Sequence, residues 1–282
     1  MSHNFNSLDR RQFLGASMAA TLVLTARPAF AGTPAIQTNS DGLVAEDVKI
    51  PIQGGEITGY CAYPNKGNGF NTILVAHDVF GVSEQMKDVV RRLAKLGYYA
   101  ICPNLFSRAG DLSKVTDELP LFSAVNSKLA DADTLSDLDA TVAFVKKQGK
   151  GDVKHLGITG FGWGGRVVWF YAAHDPKLTA GVSFYGFLSA SRDPKSVSPI
   201  SLSPKIKTPV LGIYGNKDDY IMESDAKTIA NGLAGNKKAE IVILPGAKHG
   251  FLADDQKSYD AKNAEDGWNR MKIWFYNNGL RV

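Results

Sequence analysis

Leu156-Gly157-Ile158-Thr159-Gly160-Phe161-Gly162-Trp163-Gly164-Gly165-Arg166 joins an apolar strand to an apolar helical run, Val167-Val168-Trp169-Phe170-Tyr171. A strand, a glycine-rich corner and a helix in that order are the context of a nucleophile elbow, G-x-Nu-x-G. There a reactive side chain sits on a sharp, strained turn at the top of an α/β sheet. Glycines flank such a turn because strand and helix approach too closely to leave room for side chains. Gly160 and Gly164 fill the flanks and Gly165 adds a third. The central position, where a Ser or Cys is expected, is Gly162.

On either side of the elbow, strand and helix patterns alternate. Val48, Ile50 and Ile52, then Ile57, Tyr60 and Ala62, predict two antiparallel edge strands joined by Gln53-Gly54-Gly55. The continuous apolar run Thr72–Ala76 suits a parallel strand buried on both faces. A Ser83-capped helix follows, with Met86, Val89, Val90, Leu93 and Leu96 on one face and Gly97 as its stop. Tyr98–Cys102 reads as a strand, and residues 103–133, where periodicity weakens, as a lid-like excursion. Leu135, Leu138, Val142 and Val145 mark a helix, and Gly149–Asp152 a turn into the elbow strand. Beyond the elbow, strands are expected at Ala180–Tyr185, Pro209–Tyr214 and Ala239–Leu244. Between and after them come a loop over Ser189–Lys207 and helices over Ser224–Leu233 and about 258–278. This alternation predicts one α/β domain over residues 43–282, a doubly wound, mostly parallel sheet with helices on both faces.

The N-terminus reads differently. Ser7-Leu8-Asp9-Arg10-Arg11-Gln12-Phe13-Leu14 precedes a short small-and-apolar run, Gly15–Leu24, and then Ala29-Phe30-Ala31. Twin arginines, an apolar stretch too short to span a bilayer and a small-x-small cleavage site are the features of an export signal over residues 1–31. Residues 32–42 form a polar leader. The expected partner of this segment is the twin-arginine export machinery, and the expected location is the periplasm or outside the cell. Less Arg10, Arg11, Arg27 and Asp9, the net charge of +4 falls to +2, which suggests neither a nucleic-acid partner nor a membrane surface. No second apolar segment is long enough for stable membrane insertion of the mature chain. Cys61 and Cys102 lie on separate predicted strands and read as buried small hydrophobes rather than a redox pair.

In an open parallel sheet, ligands sit beyond the C-terminal ends of the strands. Two such ends carry Gly215-Asn216-Lys217-Asp218-Asp219 and Pro245-Gly246-Ala247-Lys248-His249-Gly250-Phe251. Elbow, then acid, then histidine is the chain order of an α/β-hydrolase triad, in which the acid orients the imidazole and the imidazole acts as general base. Asp219 competes with Asp218 for the acid role; Asp218 is favoured because it ends the G-x-x-D step. His77, beside Asp78, is a candidate second imidazole in the pocket or a cap on a strand end. His155 and His174 read as surface residues, and Trp169, Phe170 and Tyr171 as packing.

Over about residues 43–280 the chain resembles the dienelactone hydrolase family of α/β hydrolases. The motifs that carry the likeness are Gly160–Arg166 against the family's G-[FY]-C-x-G-G, the G-x-x-D step at Asp218, and the A-x-H-[GSA]-F step from Ala247 to Phe251. The segment Ala76-His77-Asp78-Val79-Phe80-Gly81 is similar to the family's Q-E-x-F-G loop. The resemblance implies hydrolysis of small ester or lactone bonds through a cysteine thiolate, with no metal and no cofactor. It puts Asp78 in the acidic place beside the nucleophile and gives the oxyanion-hole N–H groups to Val79 and Trp163. Arg108 matches the first of two arginines that hold a substrate carboxylate; the second would fall at Ala253 and is absent. Arg108, His77 and Phe251 are thus the candidate substrate contacts.

Glycine offers no atom to attack a carbonyl, so an acyl-enzyme at 162 is impossible. The expectation is a weak ester or lactone hydrolase in which His249 activates a water over the Val79 and Trp163 donors. The alternatives are a non-catalytic binder of small carbonyl compounds or anions, and an inactivated form of a cysteine hydrolase that Gly162→Cys would restore.

Overall fold

The computed structural model describes residues 36–110, 118–189 and 197–282; the expected export signal and the first residues of the leader lie outside them. Eight strands form one sheet: β1 (Leu43–Ile52), β2 (Gly55–Pro64), β3 (Phe70–Ala76), β4 (Tyr99–Pro103), β5 (Gly151–Phe161), β6 (Ala180–Phe184), β7 (Val210–Gly215) and β8 (Glu240–Leu244). Their spatial order is β1-β2-β4-β3-β5-β6-β7-β8. β2 pairs antiparallel with both β1 and β4, and every other pair is parallel. Only β1 of the first two strands is an edge, because β2 is covered by β4.

The helices are α1 (Glu84–Lys95), α2 (Glu118–Lys128), α3 (Asp131–Gln148), α4 (Trp163–His174), α5 (Pro199–Leu202), α6 (Glu223–Gly232) and α7 (Ala261–Asn277). β6 and β7 are buried along their whole length, as strands sandwiched between helical layers must be. α4 packs on β5 and β6, and α7 on β6 and β7. Ser83 caps α1 as its sequence requires, its Oγ accepting from the Met86 N–H at 3.4 Å.

Several expected boundaries move. The stretch 103–133 is not all excursion: it holds a 3₁₀ turn at Ser107–Ala109, helix α2 and the start of α3. Among the described side chains of α2, Leu121 and Val125 are buried. On α3 the buried stripe runs through Thr134, Asp137, Leu138, Thr141 and Val145, leaving Leu135 and Val142 half-buried. β5 begins at Gly151, so the turn before it is shorter than expected. Part of the expected 189–207 loop is α5, whose Ser198 and Ser201 form a reciprocal capping box ahead of a 3₁₀ turn, Ser203–Lys205. Residues 190–196 of that loop lie outside the described residues.

Cys61 and Cys102 are both free and buried. Cys61 faces Ile101 and Cys102 faces Tyr60 across the β2/β4 ladder, which sends the two thiols to opposite sides of the sheet. Burial pushes the Cys61 thiol up to about 12 and the Cys102 thiol up further, so neither supplies a thiolate.

Candidate active site

The parallel register sets strand ends side by side. Ala76 at the end of β3 faces Gly160 on β5, Phe161 faces Phe184 on β6, and Gly215 on β7 faces Leu244 on β8. The residues that follow these ends therefore meet above one edge of the sheet.

At the centre, Gly162 caps α4 with φ +52° and ψ −110°, a backbone state that side chains rarely adopt. Its N–H donates to the Phe184 carbonyl (3.1 Å) and its carbonyl accepts from the Arg166 N–H (3.1 Å). The flanking glycines are there for want of space. A Cβ on Gly164 would run into the carbonyls of Ala76 and His77, and one on Gly160 into the carbonyl of Gly164. Gly162 is different: among the described residues a Cβ there would meet one neighbour, His249 Nε2 at 3.4 Å.

His249 and Asp218 are placed by the loops after β8 and β7, which are laced together. Lys217 N–H donates to the Ala247 carbonyl (3.0 Å), and Gly246 N–H to Asn216 Oδ1 (2.7 Å). Asp218 Oδ2 lies 2.9 Å from His249 Nδ1, while Oδ1 accepts from the N–H groups of Tyr220 (2.8 Å) and Ile221 (3.0 Å). The Asp218 side chain is 0% exposed and that of His249 8%. A carboxylate can only accept, so Nδ1 carries the proton in the neutral ring and Nε2 turns its lone pair toward the elbow. Asp219, the competing acid, is exposed.

Asp78 and Val79 arrive from β3. Asp78 is buried, its Oδ1 accepting from the Phe80 N–H at 2.8 Å, which closes the loop on itself. A cavity of about 20 Å³ lies over Gly162, bounded by Asp78, Val79, Trp163, Tyr185 and His249 among others.

Three expected substrate contacts fall elsewhere. Arg108 is locked by Asp137 on α3, with Nε to Oδ2 at 2.9 Å and Nη2 to Oδ1 at 2.7 Å, and it is not among the described residues that line the cavity. His77 is fully buried behind Trp163; its Nδ1 lies 2.7 Å from the Asp78 carbonyl and its Nε2 accepts from the Leu105 N–H at 3.0 Å. It fastens the loop after β4 to the end of β3, the strand-end role rather than the pocket one. Burial lowers its pKa to about 4, so the ring is neutral. Phe251 is buried against Phe184 and Tyr185, supporting the wall from behind.

The residues the sequence did not single out are aromatic. Tyr185 (5.1 Å), Phe187 (5.4 Å) and Tyr220 (5.1 Å) lie around the His249 ring, and Phe80, Gly250 and Gln256 are among the other described lining residues. Tyr185 takes φ +38°, the one positive φ outside glycine among the described residues. The signal for it was its place as the last residue of an expected strand, where ligands gather. Arg166 closes the elbow motif from outside the cavity, pairing with Asp131 (2.6 and 3.0 Å) and stacking on Phe170.

A model of the dienelactone hydrolase family matches residues 57–278. The chain belongs to that family. A Methylorubrum extorquens protein that carries the provisional name carboxymethylenebutenolidase is 45% identical over 278 residues, 97% of this chain and 94% of the relative. An Escherichia coli K12 protein with the same provisional name is 42% identical over 243 residues, 85% of this chain and 89% of its own. Among solved structures, a Klebsiella pneumoniae protein provisionally named a dienelactone hydrolase superposes with TM-score 0.79 at 40% identity, covering 83% of this chain and 98% of its own. The eight-stranded sheet is accordingly the α/β-hydrolase fold, and the family is one of hydrolases.

Proposed function

We propose that this member of the dienelactone hydrolase family hydrolyses small ester or lactone bonds slowly, with water rather than a side chain as the attacking group. The observation that carries the reading is the line Asp218–His249–Gly162. A carboxylate fixes one imidazole nitrogen, and the other points to the place above the elbow from which a nucleophile would act. A cavity of about 20 Å³ has room for one water, which needs roughly 10–15 Å³. His249 takes the proton as that water attacks, Asp218 stabilises the imidazolium, and the Val79 and Trp163 N–H groups receive the developing oxyanion. The proton then passes from His249 to the leaving alkoxide. Without a covalent intermediate, the acceleration is of the order left when a triad loses its nucleophile, about 10³–10⁴ over water.

The test is hydrolysis of 4-nitrophenyl acetate by the mature chain and by His249→Ala. Loss of the slow turnover in the variant is expected; unchanged turnover would rule the reading out.

The open space at 162 favours a second reading, that the site is a cysteine hydrolase silenced by one residue. Among the described residues a Cβ at 162 would touch the imidazole alone, although its positive φ strains any side chain placed there. Export by the twin-arginine route to the periplasm or beyond is also proposed, on the strength of Arg10-Arg11 and Ala29-Phe30-Ala31. Detection of a mature chain beginning near Gly32 outside the cytoplasm would support it; retention of the full chain inside would contradict it.

A further inference from the structure

We propose that Arg92 and Asp254 are positioning residues for His249, tying the loop that carries the imidazole to α1. The inference rests on the proposed function in taking His249 as the base that addresses Gly162. Arg92 lies in the last turn of α1, and its Nη2 reaches Asp254 Oδ2, far along the chain, at 2.5 Å. Its Nε lies 2.5 Å from Asp88 Oδ2, one turn back on the same helix. Both carboxylate side chains are 4% exposed. Asp88 is held from another side as well, its Oδ1 accepting from the Thr38 N–H at 2.5 Å. The guanidinium is therefore braced on α1 where it grips the loop.

The link joins the two loops that the proposed chemistry uses. α1 starts directly after the turn that carries Asp78 and Val79, with Ser83 as its cap. Asp254 closes the stretch that begins at His249, and Phe251, Leu252 and Ala253 between them are buried. Within it the Ala253 N–H donates to the Gly250 carbonyl (2.9 Å), and the Phe251 carbonyl accepts from the Asp260 N–H (3.0 Å). A segment packed so closely passes a shift at Asp254 on to the imidazole. Asp218, at 2.9 Å, fixes the tautomer; the span from the imidazole to the Val79 loop is set by what joins the two loops. Burial pushes the Asp254 carboxyl above its ordinary range, and Arg92 pulls it back. Two buried carboxylates on one guanidinium are costly to desolvate, and apolar side chains would hold helix and loop together as well. What the planar fork adds is a fixed distance and direction between them.

The test is the pH profile of iodoacetamide labelling at Gly162→Cys, with Arg92→Lys or Asp254→Asn added. Both changes are conservative: the first keeps the charge and loses the planar fork, the second keeps an acceptor and loses the charge. A displaced imidazole stabilises the thiolate less, so each should raise the midpoint by at least about half a pH unit. Charge alone predicts otherwise, no change for Arg92→Lys and a fall for Asp254→Asn. Arg91→Lys, the same exchange one residue away, should leave the midpoint where it was, because Arg91 pairs with Glu84 and Asp88 rather than with the loop. Protection of the buried Cys61 and Cys102 in the same samples reports that the fold is kept. An unmoved midpoint in Arg92→Lys, an unmoved or lowered one in Asp254→Asn, or an equal rise in Arg91→Lys would overturn the inference and leave the hydrolase reading standing. The expected shifts without His249-dependent ester turnover would do the reverse. An ordinary midpoint in Gly162→Cys itself would remove both.

Discussion

His249 Nε2 stands 3.4 Å from the point that a β-carbon on Gly162 would occupy, although 87 positions of sequence separate the two residues. The distance follows from the lattice of the sheet. Gly162 follows β5 and His249 follows β8, and the segments after the intervening β6 and β7 bring Tyr185 and Asp218 to the same edge.

Asp218→Asn should lower ester hydrolysis by about 10²-fold or more, because an amide in that place selects the wrong imidazole tautomer. Asp219→Asn, changing an exposed side chain, should leave the rate within about twofold. Steady-state kcat on 4-nitrophenyl acetate for both variants checks the assignment. Equal losses would remove Asp218 from its role.

The elbow glycines should differ sharply in stability. Gly164→Ala drives a methyl group into the backbone carbonyls of Ala76 and His77, which cannot turn aside, and should cost about 3 kcal/mol. Gly162→Ala meets no backbone among the described residues and pays mainly for its positive φ, about 1–2 kcal/mol. Urea unfolding midpoints of the two variants read the difference directly.

Acid should weaken the fold through His77. Its folded pKa, about 4, lies below the ordinary value of 6.5, so the unfolded chain binds the proton more readily between those values. The stabilisation is therefore fully present above about pH 6.5 and is lost as pH falls toward 4, by about 3 kcal/mol in all. His77→Gln keeps an acceptor for the Leu105 N–H and has nothing to titrate. Its unfolding free energy should show less dependence on pH in that window than the parent chain. Parallel profiles would contradict a neutral buried ring.

The parts of this site legible in the sequence are those coded locally. The elbow, the G-x-x-D step and the histidine step each sit directly after a strand, and chain order alone pairs Asp218 with His249 rather than with His77. What sequence could not reveal depends on partners far along the chain. Arg108 looks like a ligand-binding arginine until Asp137, 29 residues on, takes both of its forks. His77 stands beside Asp78 yet turns inward, because the Leu105 N–H needs an acceptor there. Phe251 belongs to the histidine motif but is buried under Tyr185. The aromatic wall was hidden for a further reason: Tyr185, Phe187 and Tyr220 come from two separate loops and share no spacing.

The most direct measurement is the pH dependence of iodoacetamide labelling at Gly162→Cys, alone and combined with His249→Ala. With Cys61 and Cys102 buried, the new thiol is the reactive one. A thiol at the head of α4 and within reach of Nε2 should label with an apparent pKa well below the ordinary value of about 8.5, and should move back toward it when the imidazole is removed. A labelling profile at the ordinary value, unchanged by His249→Ala, would mean that the ring does not address the elbow, and the proposed chemistry would fall with it.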